Sequence, residues 1–267
     1  MRFRAIGAAT AADLELATAI LRKRVDKLGA AGVEVSRRGR LISVRFPHRI
    51  PPLAKVLGKR GLLEFYDFEA DLVGPLVSGS NRTPVAKASL RGLLNGTKRA
   101  PRNTIVVTCD NRAGECLTPV PANARTGFFL FKHIKGKVPE LTGKDLQQST
   151  VRADLDPATN LPVVVFQLTD RGKRIFRAIT RREAERGRIV GGNCRVTPPP
   201  AAQHFAIVLD REIQSAPYID YCKNPDGIPA DNGVEIDLGA GGTLDEAKRL
   251  AFVLQTGALP VRLVRIR

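Results

Sequence analysis

The order in which hydrophobic periodicity changes over the first seventy residues constrains this chain more than any other feature. Arg2–Ile6 (RFRAI) alternates with period two and predicts a strand. Thr10, with Asp13 three positions on, forms a capping-box variant ahead of a helix. That helix carries Leu14, Ala17, Leu21, Val25 and Leu28 on one face and ends at Gly29. Val33–Arg37 and Leu41–Phe46 predict short strands about Arg38-Gly39-Arg40, with Ile42, Val44 and Phe46 on one side. Pro51 and Pro52 open a short helix to about Leu57. Gly61 then precedes LLEFYDF, apolar on both faces and so expected as a central strand. The resulting order, β-α-β-β-α-β, is the ferredoxin-like pattern.

Residues 71–138 are rich in Gly, Pro, Ser, Asn and Arg and read as an irregular insertion, with strands at Thr104–Cys109 and Gly127–Ile134. Regular patterning returns from Pro139. Pro162–Leu168 predicts a buried strand, and Thr169 caps a helix from Asp170 to about Glu185 with Ile175, Phe176 and Ile179 inward. His204–Leu209, Glu212–Ile219 and Val234–Leu238 predict strands. Thr243 and Glu246 form a capping box for a helix that buries Leu244, Ala247, Ala251 and Leu254 and stops at Gly257. Val261–Ile266 is expected as the last strand. The fold class is α+β.

The 267 residues carry 43 Lys and Arg against 26 Asp and Glu, a formal charge of +17. A hydrophobic fraction of 43% supports a packed core and excludes a largely disordered chain. No apolar run reaches the ~18 residues of a membrane helix, and MRFRAIGAAT lacks the apolar centre of a secretory leader, so a soluble domain is expected. Four cysteines (Cys109, Cys116, Cys194, Cys222) match no common zinc spacing. They suit two disulfides in an oxidising compartment, the alternative being four free thiols. If bridged, loop closure favours Cys109–Cys116 and Cys194–Cys222.

Catalytic patterns are wanting, and no enzyme or cofactor is expected. LGAGGT (Leu238–Thr243) lacks the third glycine of a dinucleotide fingerprint. His48, His133 and His204 have no carboxylate or cysteine at ligand spacing and read as surface residues. Asp67, Glu69 and Asp71 would share one face of a continued strand; three carboxylates can hold Ca²⁺ or Mg²⁺, although a solvated strand exit is the plainer reading. Arg171, Lys173, Arg174, Arg177, Arg181, Arg182, Arg186 and Arg188 decorate one helix and its exit, which suits an anionic partner or merely a solvated face. The charge and the N-terminal order make RNA binding the competing function. Its stacking aromatics are missing, since Leu41 and Ser43 stand on the third strand and Phe3 alone on the first.

Several stretches together resemble the large extracytoplasmic domain of the SecD family, a subunit of the bacterial preprotein translocase. They are LRKRVDKLG (Leu21–Gly29), VEVSRRGRLISVRFP (Val33–Pro47) and LGKRGLLEFYDFE (Leu57–Glu69). The second half adds LTGKDL (Leu141–Leu146), LPVVVFQLTDRGKRIF (Leu161–Phe176), FAIVLDREIQSAP (Phe205–Pro217) and LDEAKRLAFVLQTGALPV (Leu244–Val261). Arg211 stands where that family commonly has glycine. The resemblance implies a protein-export module, excised from its membrane helices, that binds unfolded preprotein on the extracytoplasmic side of the cell membrane. Its partners would be a SecF-like subunit, the SecYEG channel and anionic lipid at the basic helix, with no nucleic acid. It also implies a ferredoxin-like base (residues 1–70 and 258–267) and an inserted head (71–257, comprising 71–138 and an α+β unit at 139–257). Asp71, Gly74, Pro75, Gly257 and Pro260 are then hinge candidates at the two crossings.

Overall fold

The computed structural model describes residues 1–74, 86–97, 99–110, 124–192, 194–239 and 241–266. In chain order these form β1 (Arg2–Ile6), α1 (Ala11–Lys27), β2 (Glu34–Arg38), β3 (Leu41–Arg45), β4 (Leu63–Asp67), α2 (Phe68–Asp71) and β5 (Leu72–Gly74). Next come α3 (Leu90–Leu93), β6 (Thr104–Asp110), β7 (Thr126–Lys132), β8 (Leu141–Thr142), β9 (Arg152–Leu155) and β10 (Pro162–Phe166). The chain continues with α4 (Asp170–Gly191), β11 (Gln203–Leu209), β12 (Glu212–Ser215), β13 (Tyr218–Ile219), β14 (Val234–Asp237), α5 (Leu244–Thr256) and β15 (Arg262–Ile266).

The N-terminal sheet has the order β15-β1-β3-β2, with every neighbouring pair antiparallel. Period-two alternation places Phe3, Ala5, Ile42 and Val44 on its covered side, against Leu14, Ala17, Leu21 and Val25 of α1. The sequence pattern assigns Leu63–Asp67 to this unit as its closing strand, and the structure corrects that. β4 lies between β11 and β8 in an eight-stranded sheet of order β5-β7-β6-β12-β11-β4-β8, with β13 paired to β11. The reason is burial. Leu63 and Phe65 enter one core and Tyr66 another, so β4 needs a sheet covered on both faces. The N-terminal sheet offers one. Its vacant edge beside β1 goes to β15, which buries Leu263 and leaves Val264 exposed.

The helix expected over Pro51–Leu57 is a 3-10 segment, Pro52–Val56. The second long helix behind the sheet is the end of α5. Phe252 and Val253 enter the N-terminal core, while Ala247, Leu250, Ala251 and Leu254 enter the large one. That large core joins Phe65, Phe166, Phe176 and Phe205, the last two edge-to-face at 5.0 Å. The opposite face of the eight-stranded sheet holds Tyr66, Phe68, Phe129 and Phe131. The region expected to be an irregular insertion therefore supplies β5, β6 and β7 to the principal sheet. α4 runs on to Gly191, because Gly187 and Gly191 admit the Pro200 and Ala201 carbonyls and the Tyr221 ring where a Cβ would collide. The strand expected over Glu212–Ile219 is split at Ala216-Pro217, whose carbonyl accepts from the Phe205 N–H at 3.0 Å.

The β11–β12 hairpin turns on Asp210 (φ 51°) and Arg211 (φ 75°), both left-handed as a two-residue type I′ turn demands. Asp210 has a compensation, since its carboxylate accepts from the N–H groups of Gly61 (3.2 Å) and Leu62 (2.9 Å). Among the described residues Arg211 is held through its backbone carbonyl, which accepts from the Thr108 N–H at 2.8 Å and the Thr108 hydroxyl at 3.2 Å. Arg211→Gly should therefore raise stability by about 1 kcal/mol, seen as a higher Tm. A lower Tm would show that the Arg211 side chain outweighs the backbone strain.

Candidate functional site

Two passages connect the N-terminal sheet with the rest, residues 57–62 outward and 256–261 on the return, and they lie side by side. The Leu259 N–H donates to the Arg60 carbonyl at 2.7 Å, and Arg60 Nε donates to that of Leu259 at 3.3 Å. Arg24 of α1, fully buried, holds both passages. Its Nη1 donates to the carbonyls of Leu57 (2.5 Å) and Lys59 (2.6 Å), its Nη2 to Gly257 (2.9 Å), and its Nε to Thr256 Oγ1 (3.0 Å). Burial lowers its pKa to about 10, with Asp210 opposing, so the guanidinium stays charged at neutral pH. Gly61 (φ +72°) packs so closely on Val253 that a Cβ would overlap it.

Two clefts open along this joint. One of about 630 Å³ lies between Ile6, Gly7 and Arg262 on one wall and Leu62, Asp210 and Arg211 on the other. The second, of about 660 Å³, is lined in part by Leu62, Val138, Leu146, Leu254, Ala258 and Arg171. Gly257 (φ +86°) and Pro260 belong to the return passage. Asp71 and Gly74 do not lie at a crossing: Asp71 closes α2 and Gly74 pairs with Leu130 within the large sheet. Pro75 lies outside the described residues. The outward crossing is thus at 57–62, because β4 already belongs to the large sheet.

The three carboxylates suspected of binding a metal are divided by the start of α2. Asp67 caps that helix and accepts from Arg186 Nη2 at 2.5 and 2.6 Å. Glu69 accepts from the His204 N–H at 2.9 Å and lies 2.7 Å from His204 Nδ1. Asp71 accepts from the Asp67 N–H at 3.2 Å, and its pKa rises to about 6 through burial and the Asp67 charge. No group of three or more His, Cys, Asp or Glu among the described residues is arranged to hold a metal ion. His204 and His133, which read as plain surface residues, both face carboxylates distant in sequence, His133 lying 3.1 Å from Glu64. Beneath them lies Glu183 of α4, fully buried, with neither oxygen hydrogen-bonded among the described residues. Burial, then Asp67 and Glu69, pushes its pKa well up, opposed by Arg186 and Arg182.

The basic helix is largely neutralised. Lys173 pairs with Asp231 (3.4 Å), Arg181 with Glu185 (2.9 Å), Arg182 with Glu140 (2.5 Å), Arg186 with Asp67 and Arg171 with Asp145. Cys194 and Cys222 form a disulfide with a Cα separation of 5.7 Å. Cys109 is disulfide-bonded and fully buried in the aromatic core, and Cys116 lies outside the described residues.

Removing the Arg24 head group would leave one buried and two partly buried carbonyls without their donor. Arg24→Met should cost about 3 kcal/mol in urea unfolding; a loss below about 1 kcal/mol would remove the clasp from the account. Glu183 has a raised folded pKa, so the stability it permits is full below its unfolded value, near 4.5, and is lost as pH rises towards the folded value. Glu183→Gln should match the parent near pH 4. It should then gain on it by about 1.4 kcal/mol per pH unit until the folded pKa is reached. Parallel stability curves across that range would contradict this.

The family model of the SecDF P1 head subdomain matches residues 126–261, about half of the chain, from β7 through α5. The protein translocase subunit SecD of Elusimicrobium minutum is 28% identical over 253 residues, covering 90% of this chain and 42% of that protein. The SecD of Calditerrivibrio nitroreducens is 25% identical, covering 92% and 38%. The chain thus spans about two fifths of the length of these curated relatives. A solved structure of a membrane component SecDF that enhances protein export superposes with a TM-score of 0.58 at 24% identity, covering 100% of this chain and 98% of that one. A crystal structure of SecDF in its super-membrane-facing form gives 0.58 at 23%, covering 99% and 29%. No helix among the described residues is long and apolar enough to cross a membrane. With half its length matched by that model, the chain belongs to the SecDF P1 head family of SecD-type protein translocase subunits.

Proposed function

We propose that this chain is an extracytoplasmic module that binds preprotein during export, its head carried on a base through a two-stranded joint. The base comprises the residues up to Leu57 and from Ala258 on. Its antiparallel order β15-β1-β3-β2, with α1 and the end of α5 behind, is that of a ferredoxin-like fold interrupted by the head. The observation that carries the reading is the joint: two adjacent passages, one buried arginine across them, and clefts of about 630 and 660 Å³ alongside. A head attached by two short segments can rotate about them, with Gly257, Pro260 and residues 57–62 absorbing the change. The larger cleft mixes apolar residues such as Leu62, Val138 and Leu254 with charged ones such as Lys135, Glu140 and Arg171, a lining open to both the side chains and the backbone of an extended segment. In the longer protein, membrane helices would couple the head to the proton gradient beside a SecF-like subunit and the SecYEG channel.

RNA binding is the weaker reading. Phe3, the one aromatic of β1, is buried beneath the sheet, and the exposed side of β1 and β3 offers no ring for a base to stack on.

The test is a crosslink between cysteines placed at Ile6 and Arg211, on opposite walls of the smaller cleft. Joined by a short bis-maleimide within the full membrane protein, they should leave the fold intact and impair translocation at least several-fold. Undiminished translocation with a complete crosslink would eliminate rotation and leave a static surface. Capture of an unfolded apolar polypeptide by the isolated chain should change little with salt, whereas RNA binding would fall steeply.

A further inference from the structure

We infer that the open face of the N-terminal sheet is a docking surface for the headgroups of anionic phospholipids. One side of that sheet is covered by α1 and α5, and no described element covers the other. Its register places Arg4 between Leu41 and Val264, Arg38 beside Leu41, Arg45 beside Glu34, and Arg262 beside Ile6. At ~4.8 Å between strands, these guanidinium stems share a face roughly 15 Å wide. Glu34 is the only carboxylate in the four strands. Arg4, Arg38, Arg45 and Arg262 are exposed, and none has an ion-pair partner among the described residues. The contrast with α4, whose cations are mostly paired, is the basis of the assignment.

The shape and the intervening residues select the kind of anion. A concavity of about 390 Å³ is lined by Ser36, Leu41, Ser43, Arg38 and Arg45, and also by Arg2 and the single carboxylate Glu34. Two hydroxyls and two guanidinium forks can satisfy a phosphodiester's oxygens. Around it, Ile6 (36% exposed), Val264 (39%) and half-buried Leu41 interrupt the arginines. That mixture suits the boundary between headgroups and acyl chains better than a fully hydrated polyanion. Nucleic acid would want stacking rings, and this face has none.

The experiment is co-sedimentation of the 267-residue chain with vesicles. Those of phosphatidylcholine and phosphatidylglycerol in equal parts should bind it, pure phosphatidylcholine should not, and salt should weaken the binding. Each arginine-to-glutamine change at Arg4, Arg38, Arg45 or Arg262 should weaken it about fivefold, and the quadruple variant should abolish it. Lysine at the four positions should retain most of it, and Arg174→Gln with Arg188→Gln on α4 should leave it unaltered. Thermal melts identify any variant that has lost its fold, in which case the single variants decide. Equal binding to both vesicle types, or full binding by a folded quadruple variant, would overturn the proposal. So would tighter binding to an RNA oligonucleotide or to polyglutamate than to the mixed vesicles, and saturation of the face by inorganic phosphate.

Discussion

A charged guanidinium without water must find oxygen for its donors, and in this protein that demand fixes where the two connecting passages run. Among the described residues Arg24 pairs with no carboxylate. Its contacts are the carbonyls of Leu57, Lys59 and Gly257 and the hydroxyl of Thr256. Thr256 is the last residue of α5 and Gly257 its C-cap, so the cation sits at the negative end of that helix's dipole. Thr256 Oγ1 in turn donates to the carbonyls of Phe252 (3.0 Å) and Val253 (2.9 Å), tying the clasp into the helix itself. The geometry is demanding because an unmatched donor or carbonyl in this position costs more than the contact gains. Both passages are therefore held at one place, although the chain between them is free to be long.

The same place is where the two hydrophobic cores come closest. α5 gives Phe252 and Val253 to one core and Ala247, Leu250, Ala251 and Leu254 to the other. Residues at neighbouring helical positions thus face different cores. A helix shared in this way transmits displacement as a rigid lever, since neither core can yield without opening space around closely packed side chains. Beyond the helix end the chain turns at Gly257, whose φ of 86° suits a residue without a Cβ.

Local pattern made the individual elements legible, because amphipathic alternation needs no long-range information. It could not say which sheet a strand joins. Leu63–Asp67 announced itself as buried on both faces, yet the consequence, membership of a sheet with a core on each face, depended on β11 some 140 residues on. Arg24 was in principle visible: it sits three residues after Leu21, on the stripe that runs through Ala17 and Leu28. Its place in LRKRVDKLG concealed it among solvated cations. Glu183 has the same relation to Ile179, four residues earlier, and was missed for the same reason, inside a run of arginines. A charged residue on an apolar stripe is the signal that composition hides.

The net charge of +17 proves a poor guide until it is divided by pairing. Carboxylates that neutralise α4 come from Asp67, Glu140, Asp145 and Asp231, scattered across the chain and assembled only by the fold. A window of sequence around the helix sees the arginines and, of their partners, Glu185 alone. The N-terminal sheet presents the converse case. Its arginines alternate with buried residues along short strands, as in any solvated face, so nothing local marks them as unusual. They become a concentrated field only when β15 arrives from the far end of the chain and completes a four-stranded surface with a single acidic residue. Pairing in three dimensions, rather than the count of basic residues, decides which surface retains attraction for an anion, because Coulomb interactions at exposed sites fade within about 10 Å.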